Sequence, residues 1–163
     1  MKKVLLITLF STLFCSALTA QIRVGGMLGT GTDIDRWGLG INAEYLFNEK
    51  MGVAPKLFFY FPEDTGVGKI SFWELNADFH YYFLSEDVVS VYGLAGLNFL
   101  FGKINYDNDL FLDDRSDSDV GLNLGVGANF FVGKVIPFAE LKYVAGGADQ
   151  AVIFLGVKFP IAE

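Results

Sequence analysis

His80 is the only histidine of the chain, and it stands two residues after Asp78. Ser90 follows beyond a tight turn at 85–87. A serine, a histidine and an aspartate are the nucleophile, base and orienting acid of an acyl hydrolase when they lie within mutual reach. Side chains alternate along a strand, so His80 and Asp78 share one face while Phe79 and Tyr81 take the other. The shared face is the polar, inward one. We therefore expect a hydrogen-bonded interior histidine, with Ser90 and Tyr92 beside it, and no catalytic residue. A single histidine also cannot build a His-based zinc site.

Two further patterns invite chemistry. Between Asn105 and Asp119 the acids Asp107, Asp109, Asp113, Asp114, Asp117 and Asp119 face a single base, Arg115. Several carboxylates in a compact loop suit calcium, which makes Asp107, Asp109, Asp113, Asp114 and Asp117 a weak candidate metal set. The EF-hand spacing is absent, because Arg115 takes the third position counted from Asp113. A solvated loop is the plainer expectation, with Leu110-Phe111-Leu112 contacting a partner or folding back on the structure beneath it. Gly38-Leu39-Gly40-Ile41-Asn42-Ala43 matches a dinucleotide fingerprint by letters. That motif joins a strand to a helix, whereas these residues alternate as one strand. No cofactor is expected.

The elements that position these residues are strands with unlike faces. From Asp119 to Val132 one face reads Val120, Leu122, Leu124, Val126, Ala128, Phe130, and the other Gly121, Asn123, Gly125, Gly127, Asn129, Phe131. Eight such segments are predicted, near 22–30, 36–47, 51–61, 69–84, 88–102, 119–132, 135–145 and 150–160. Short and long connections alternate between them. A greasy face opposite a small, polar face suits a strand with lipid on one side and a narrow lumen on the other. In a soluble protein the glycines at 38, 40, 121, 125 and 127 would form the solvent face and weaken it without benefit. The predicted fold is all-β, an eight-stranded antiparallel up-and-down transmembrane barrel. Outward aromatics then form two girdles, with Tyr45, Phe47, Tyr81, Phe83, Phe130 and Phe159 at one end. Trp37, Phe59, Phe61, Trp73, Phe101 and Tyr143 form the other.

The inner faces collect four acids, Glu44, Glu74, Asp78 and Glu140, and four bases, Arg23, Lys56, Lys142 and Lys158. A charge in a narrow, dry lumen is costly unless paired, so an equal count is what a closed interior requires. With Tyr92 and Phe131, these eight are expected to plug a barrel whose bore is just wide enough for side chains.

Lys2 and Lys3 precede an apolar run from Val4 to Phe14, and the small residues Ser16, Ala17 and Ala20 follow. This predicts a secretory signal over residues 1–20, cleaved after Ala20 or Ala17, and one barrel domain over 21–163. Phe14 is too bulky for lipidation of Cys15, the only cysteine, so no thiol chemistry is expected of the mature chain. Without Lys2 and Lys3 the chain carries ten bases against nineteen acids, a net −9. That balance argues against nucleic acid.

On these faces the chain resembles the small eight-stranded outer-membrane barrels of the OmpX and OmpA-barrel type, the outer-membrane β-barrel domain family, over residues 21–163. The resemblance implies a closed barrel with an internal charge network, in a bacterial outer membrane. It also implies adhesion, envelope support or limited permeation as the role. Members end their last strand on an aromatic residue read by the insertion machinery. Gly156-Val157-Lys158-Phe159 is similar to that ending, but Pro160-Ile161-Ala162-Glu163 follows it. The expected partners are outer-membrane lipid, with periplasmic chaperones and insertion machinery in transit. The expected state is a monomer. The expected function is a structural or surface-interaction role through the long loops, without enzyme activity. The alternatives are a narrow conduit for small or hydrophobic solutes and a lipid-modifying enzyme, since lipid A deacylases are also eight-stranded barrels.

Overall fold

Strong period-2 alternation, with no helix-period stretch between, leaves only strands to form. The computed structural model describes residues 21–64, 68–106, 115–146 and 149–162. Among the described residues nine strands are present: β1 Gln21–Gly31, β2 Trp37–Asn48, β3 Met51–Tyr60, β4 Glu63–Asp64, β5 Gly68–Ser85, β6 Val89–Tyr106, β7 Arg115–Phe130, β8 Ile136–Ala145 and β9 Gln150–Ala162. Each pairs antiparallel with its sequence neighbour, except that β3 passes over the two-residue β4 to pair with β5. β9 returns to β1. Eight strands therefore close a ring, and β4 is an extension at its rim. A closed ring leaves no sheet edge within its wall.

Short turns lie at one end. At β2–β3 the Asn48 side chain accepts the Lys50 N–H at 2.8 Å, an Asx turn. At β7–β8 Gly133 adopts φ 63° inside the Val132–Val135 bridge. A side chain there would be strained, so glycine is required. At the other end, Asp35 takes φ 49° in the β1–β2 turn, one residue beyond Ile34, which packs on the interior cluster.

The eight predicted strands are all found, but two of them, β6 and β7, are taller at the rim than expected. The sequence pattern ends β6 near residue 102 and starts β7 near 119. The ladder instead continues, with Gly68 opposite Tyr106 and Ile104 opposite Arg115. Beyond the apolar belt both faces meet water, so the residues there lose alternation and read as loop, while backbone pairing goes on unchanged. The segment Pro62 to Gly68 also differs, since Glu63 and Asp64 pair with Ile70 and Lys69. The result is a sheet of β4 to β7 that rises above the rest of the wall. The expected contact of Leu110-Phe111-Leu112 falls outside the described residues.

The two faces separate cleanly. Leu122 is 62 % exposed and Leu124 is 69 %, while Asn123 between them is 2 % exposed. Outside, Phe59, Trp73 and Phe101 form an aromatic ladder, with Trp73 and Phe101 stacked at 4.1 Å and 11°. Inside, Met27, Phe58, Tyr60, Leu100, Phe138, Val144, Val152 and Phe154 form one apolar cluster. Leu46, Tyr82, Tyr92 and Leu94 form another toward the short turns. Leu46, Tyr82, Tyr92, Leu94 and Leu100 fall on inner faces in the sequence pattern, but that the interior holds two apolar clusters is not legible there. In β3, β8 and β9 both faces carry large apolar residues, so the inner side is marked only by Lys56, Glu140, Lys142 and Lys158. Inner glycines make room for the filling: a Cβ on Gly127 would collide with the Tyr92 ring, and one on Gly38 with the Phe58 ring.

Candidate functional site: the buried ionic interior

All eight charged residues predicted for the lumen point inside. Arg23 is 8 % exposed and the other seven lie between 0 and 2 %. Each comes from a strand whose opposite face is apolar, so the outward preference of that apolar face for lipid turns the charged face inward. The wall is closed, so residues distant in sequence meet across the bore.

Three groups form. Around Glu44, Lys158 approaches at 3.2 Å, Arg23 at 3.4 Å and His80 Nδ1 at 2.7 Å, and the Tyr82 hydroxyl donates to the same carboxylate. Around Lys56, Asp78 accepts at 2.9 Å and Glu140 accepts as well. Glu140 also receives the Tyr92 hydroxyl at 3.0 Å. Around Glu74, Lys142 stands at 3.4 Å and Asn98 donates at 2.9 Å, joined by the Tyr60 hydroxyl. Amides link the groups: Asn123 donates to Asp78 at 2.7 Å and to Asn76 at 2.9 Å, and Lys142 donates to Asn76 at 2.6 Å. Every acid of the set has a cation partner and every cation an acid. Aromatic faces lie near the cations, with Lys158 4.8 Å from the Phe138 centroid and Lys142 5.1 Å from that of Phe154. Arg23 sits over Phe131 at the short-turn mouth, where Phe131 is half-buried.

The Asp78, His80 and Ser90 trio is not brought together. His80 is fully buried and lies between Glu44 and Glu140, with its ring stacked on Tyr92 at 4.3 Å. Asp78 serves Lys56 and Asn123, and Ser90 accepts from Asn129 at 3.2 Å. The expectation that Ser90 sits beside His80 is corrected by the register: Ser90 pairs with Ser85, and His80 with Leu94. An irregularity between Tyr82 and Leu84 shifts the count. Of the candidate metal ligands, Asp107, Asp109, Asp113 and Asp114 lie outside the described residues, and Asp117 is an exposed residue of β7. Among the described residues no group of three or more metal-ligating side chains converges.

The sequence reading misses Tyr60, Tyr82 and Gln150 as partners of the acids. Tyr60 stands between the outward Phe59 and Phe61 and so turns inward, but nothing in the sequence marks its carboxylate partner, and Gln150 only opens its strand. The inner asparagines are visible as a polar face. Their individual partners depend on which strands oppose each other across the bore, which pairwise alternation does not encode.

The fold has solved relatives. The N-terminal β-barrel domain of Pseudomonas aeruginosa OprF matches with a TM-score of 0.67 at 18 % identity, covering 86 % of this chain and 97 % of that one. A major outer membrane protein of Thermus thermophilus matches at 0.65 and 15 % identity, covering 88 % and 100 %. Ail, the attachment invasion locus protein of Yersinia pestis, matches at 0.62 and 18 % identity, covering 86 % and 96 %. No curated protein sequence matches. A family description, the outer membrane protein beta-barrel domain, matches residues 6–144. With the closed ring of eight strands and its apolar outer belt, that match makes this chain a member of the outer membrane protein β-barrel domain family.

Proposed function

We propose that this protein is a non-enzymatic barrel of the bacterial outer membrane, exported by its N-terminal signal, with a lumen plugged by side chains. It acts as a monomer, supporting the envelope and meeting partners through the surface at its long-loop end. Outer-membrane lipid surrounds it, and periplasmic chaperones and insertion machinery deliver it.

The observation that carries this reading is the height of the β4–β7 sheet. β5 and β6 have 18 residues each, against 10 in β3 and in β8. Among the described residues, β8 pairs with β7 only up to Leu122, so Arg115 to Gly121 offer backbone groups along one side. An edge of this kind accepts an added strand from a partner. The interior supports the plugged reading, since paired charges and two apolar clusters occupy it where a conduit needs water. One structural relative is named an attachment invasion locus protein, which is in keeping with a surface role.

Planar-bilayer recording on purified, folded protein tests the plug: no steady conductance is expected, and a persistent ohmic level overturns it. Replacing residues 103–118 by a tight turn tests the surface role. The shortened protein should still fold, shown by altered gel migration on boiling. Cells displaying it should adhere less to host-matrix coatings than cells displaying the full protein, and equal adhesion overturns the role.

A further inference from the structure

We propose that the barrel wall between β2 and β3 holds a built seat for one acyl chain of a membrane lipid, centred on Pro55. Pro55 lies within β3, which is paired on both sides. Proline has no N–H and is normally confined to edge strands and bulges. The β2–β3 ladder records the consequence. Asn42 pairs with Lys56 and Tyr45 with Val53, in one register, but the intervening pairs Ala43–Pro55 and Glu44–Ala54 are not made. The gap thus falls at the residue without a donor and its neighbour. On its other side Pro55 keeps its place opposite Ala77. The interruption is therefore a local loss of hydrogen bonding and not a slip of the strand.

A groove of about 580 Å³ lies over the interruption. Its floor is formed where the outward residues are smallest, at Gly26, Ala43 and Pro55, and Ile41, Leu57 and Phe159 wall it. The space above Gly26 is open, since a Cβ there would approach only the Gly40 carbonyl, at 3.9 Å. The β7 surface is the opposite case, a ridge on which Leu122, Leu124 and Val126 stand more than half exposed.

Depth decides the occupant. Phe159 marks the short-turn girdle and Phe59 the long-loop girdle, so the groove lies in the apolar belt between them, which in this family meets hydrocarbon. Neither water nor a head group fills an apolar hollow at that depth, so the occupant is an alkyl chain. A chain laid there touches both strands and the proline ring. A chain on the β7 ridge touches only side-chain tips.

The test uses the whole folded protein in phosphatidylcholine vesicles whose acyl chains carry a photoactivatable diazirine. Labelled peptides from residues 41–57 are compared with those from 120–130. The seat predicts several-fold more label on 41–57. It predicts that Ala43→Leu, which fills the hollow, brings the two regions level while boiling still shifts gel migration. Pro55→Val, which restores the missing donor, should lower the excess without removing it. Equal labelling of both regions in the unsubstituted protein overturns the proposal. So does cross-linking of one protein copy to another through 41–57, which would make a second copy the cover.

Discussion

Lys158 reaches Glu44 at 3.2 Å from across β1, although 114 residues separate them in sequence. The contact exists only because β9 closes on β1 and β1 lies beside β2. Ring closure and charge pairing are thus one event: an open sheet would leave both groups without each other. A buried pair is weak evidence for stability in itself, but an unpaired member is strongly destabilising. The interior network therefore works chiefly against half-closed or mispaired barrels.

Lys56 offers the sharpest version of that coupling, because it is the cation in contact with both Asp78 and Glu140. Lys56→Met leaves two buried carboxylates without their shared cation and should destabilise the barrel by about 3–5 kcal/mol. Adding Asp78→Asn and Glu140→Gln to the same chain should recover most of that loss, because the neutral set has nothing left to compensate. Urea unfolding in detergent micelles measures both. Equal stability of the single and triple variants would show that the charges are not coupled.

Much of this structure is legible in the sequence, and the reason is the same in each strand. Where one face is small or polar, as at Gly121, Asn123, Gly125 and Gly127, period 2 gives strand, side and environment at once. Where both faces are greasy, as at Phe58–Phe59 or Phe154–Leu155, the side is set only by the charges that share a face, Lys56 in one strand and Lys158 in the other, and nothing in the pattern says that Phe58 and Phe154 meet inside. Above the rim, around Lys103 and Ser116, both faces are wet and even the strand disappears from view. The charged site is readable as a set, since charge cannot sit on the lipid side. Its pairings, such as His80 with Glu44 in place of Asp78 and Ser90, depend on contacts across the bore.

The glycine face makes a second prediction. Gly127→Val should collide with the Tyr92 ring and lower the yield of folded barrel, with a cost of about 1–3 kcal/mol in what does fold. A Cβ on Gly93 would meet no atom within 4 Å, so Gly93→Ala should be tolerated or gain about 0.4–1 kcal/mol. The fraction of protein that shifts on boiling compares them in one gel. Equal yields for both would mean that Tyr92 yields freely.

Phe154 touches both halves of the filling. Its ring packs on Phe58 with centroids 4.9 Å apart and lies 5.1 Å from the Lys142 ammonium. Phe154→Ala should cost about 3–5 kcal/mol through the cavity it leaves. In a plugged barrel the same change should add brief conductance steps to a silent baseline in planar bilayers. Loss of stability with no change in conductance would place the barrier to ions in the charged layer instead.

One side-chain tie between the tall sheet and the rest of the mouth is testable alone. Arg36, on the β1–β2 connection, pairs with Glu63 of β4, donates to the Ile70 carbonyl at 3.3 Å and lies 5.5 Å from the Phe72 ring centroid. It thus ties the base of the extension to the neighbouring β1–β2 connection. The Glu63 side is exposed, so the ion pair itself is worth only about 0–1 kcal/mol. The effect of Arg36→Ala should accordingly be local. Amides of 63–72 should exchange hydrogen faster, while those of 74–82, inside the barrel wall, keep their protection. Global stability should stay within about 1 kcal/mol of the parent. Faster exchange throughout β5 would instead mean that the extension and the wall open as one cooperative unit, and that a partner bound at the edge would stabilise the whole barrel.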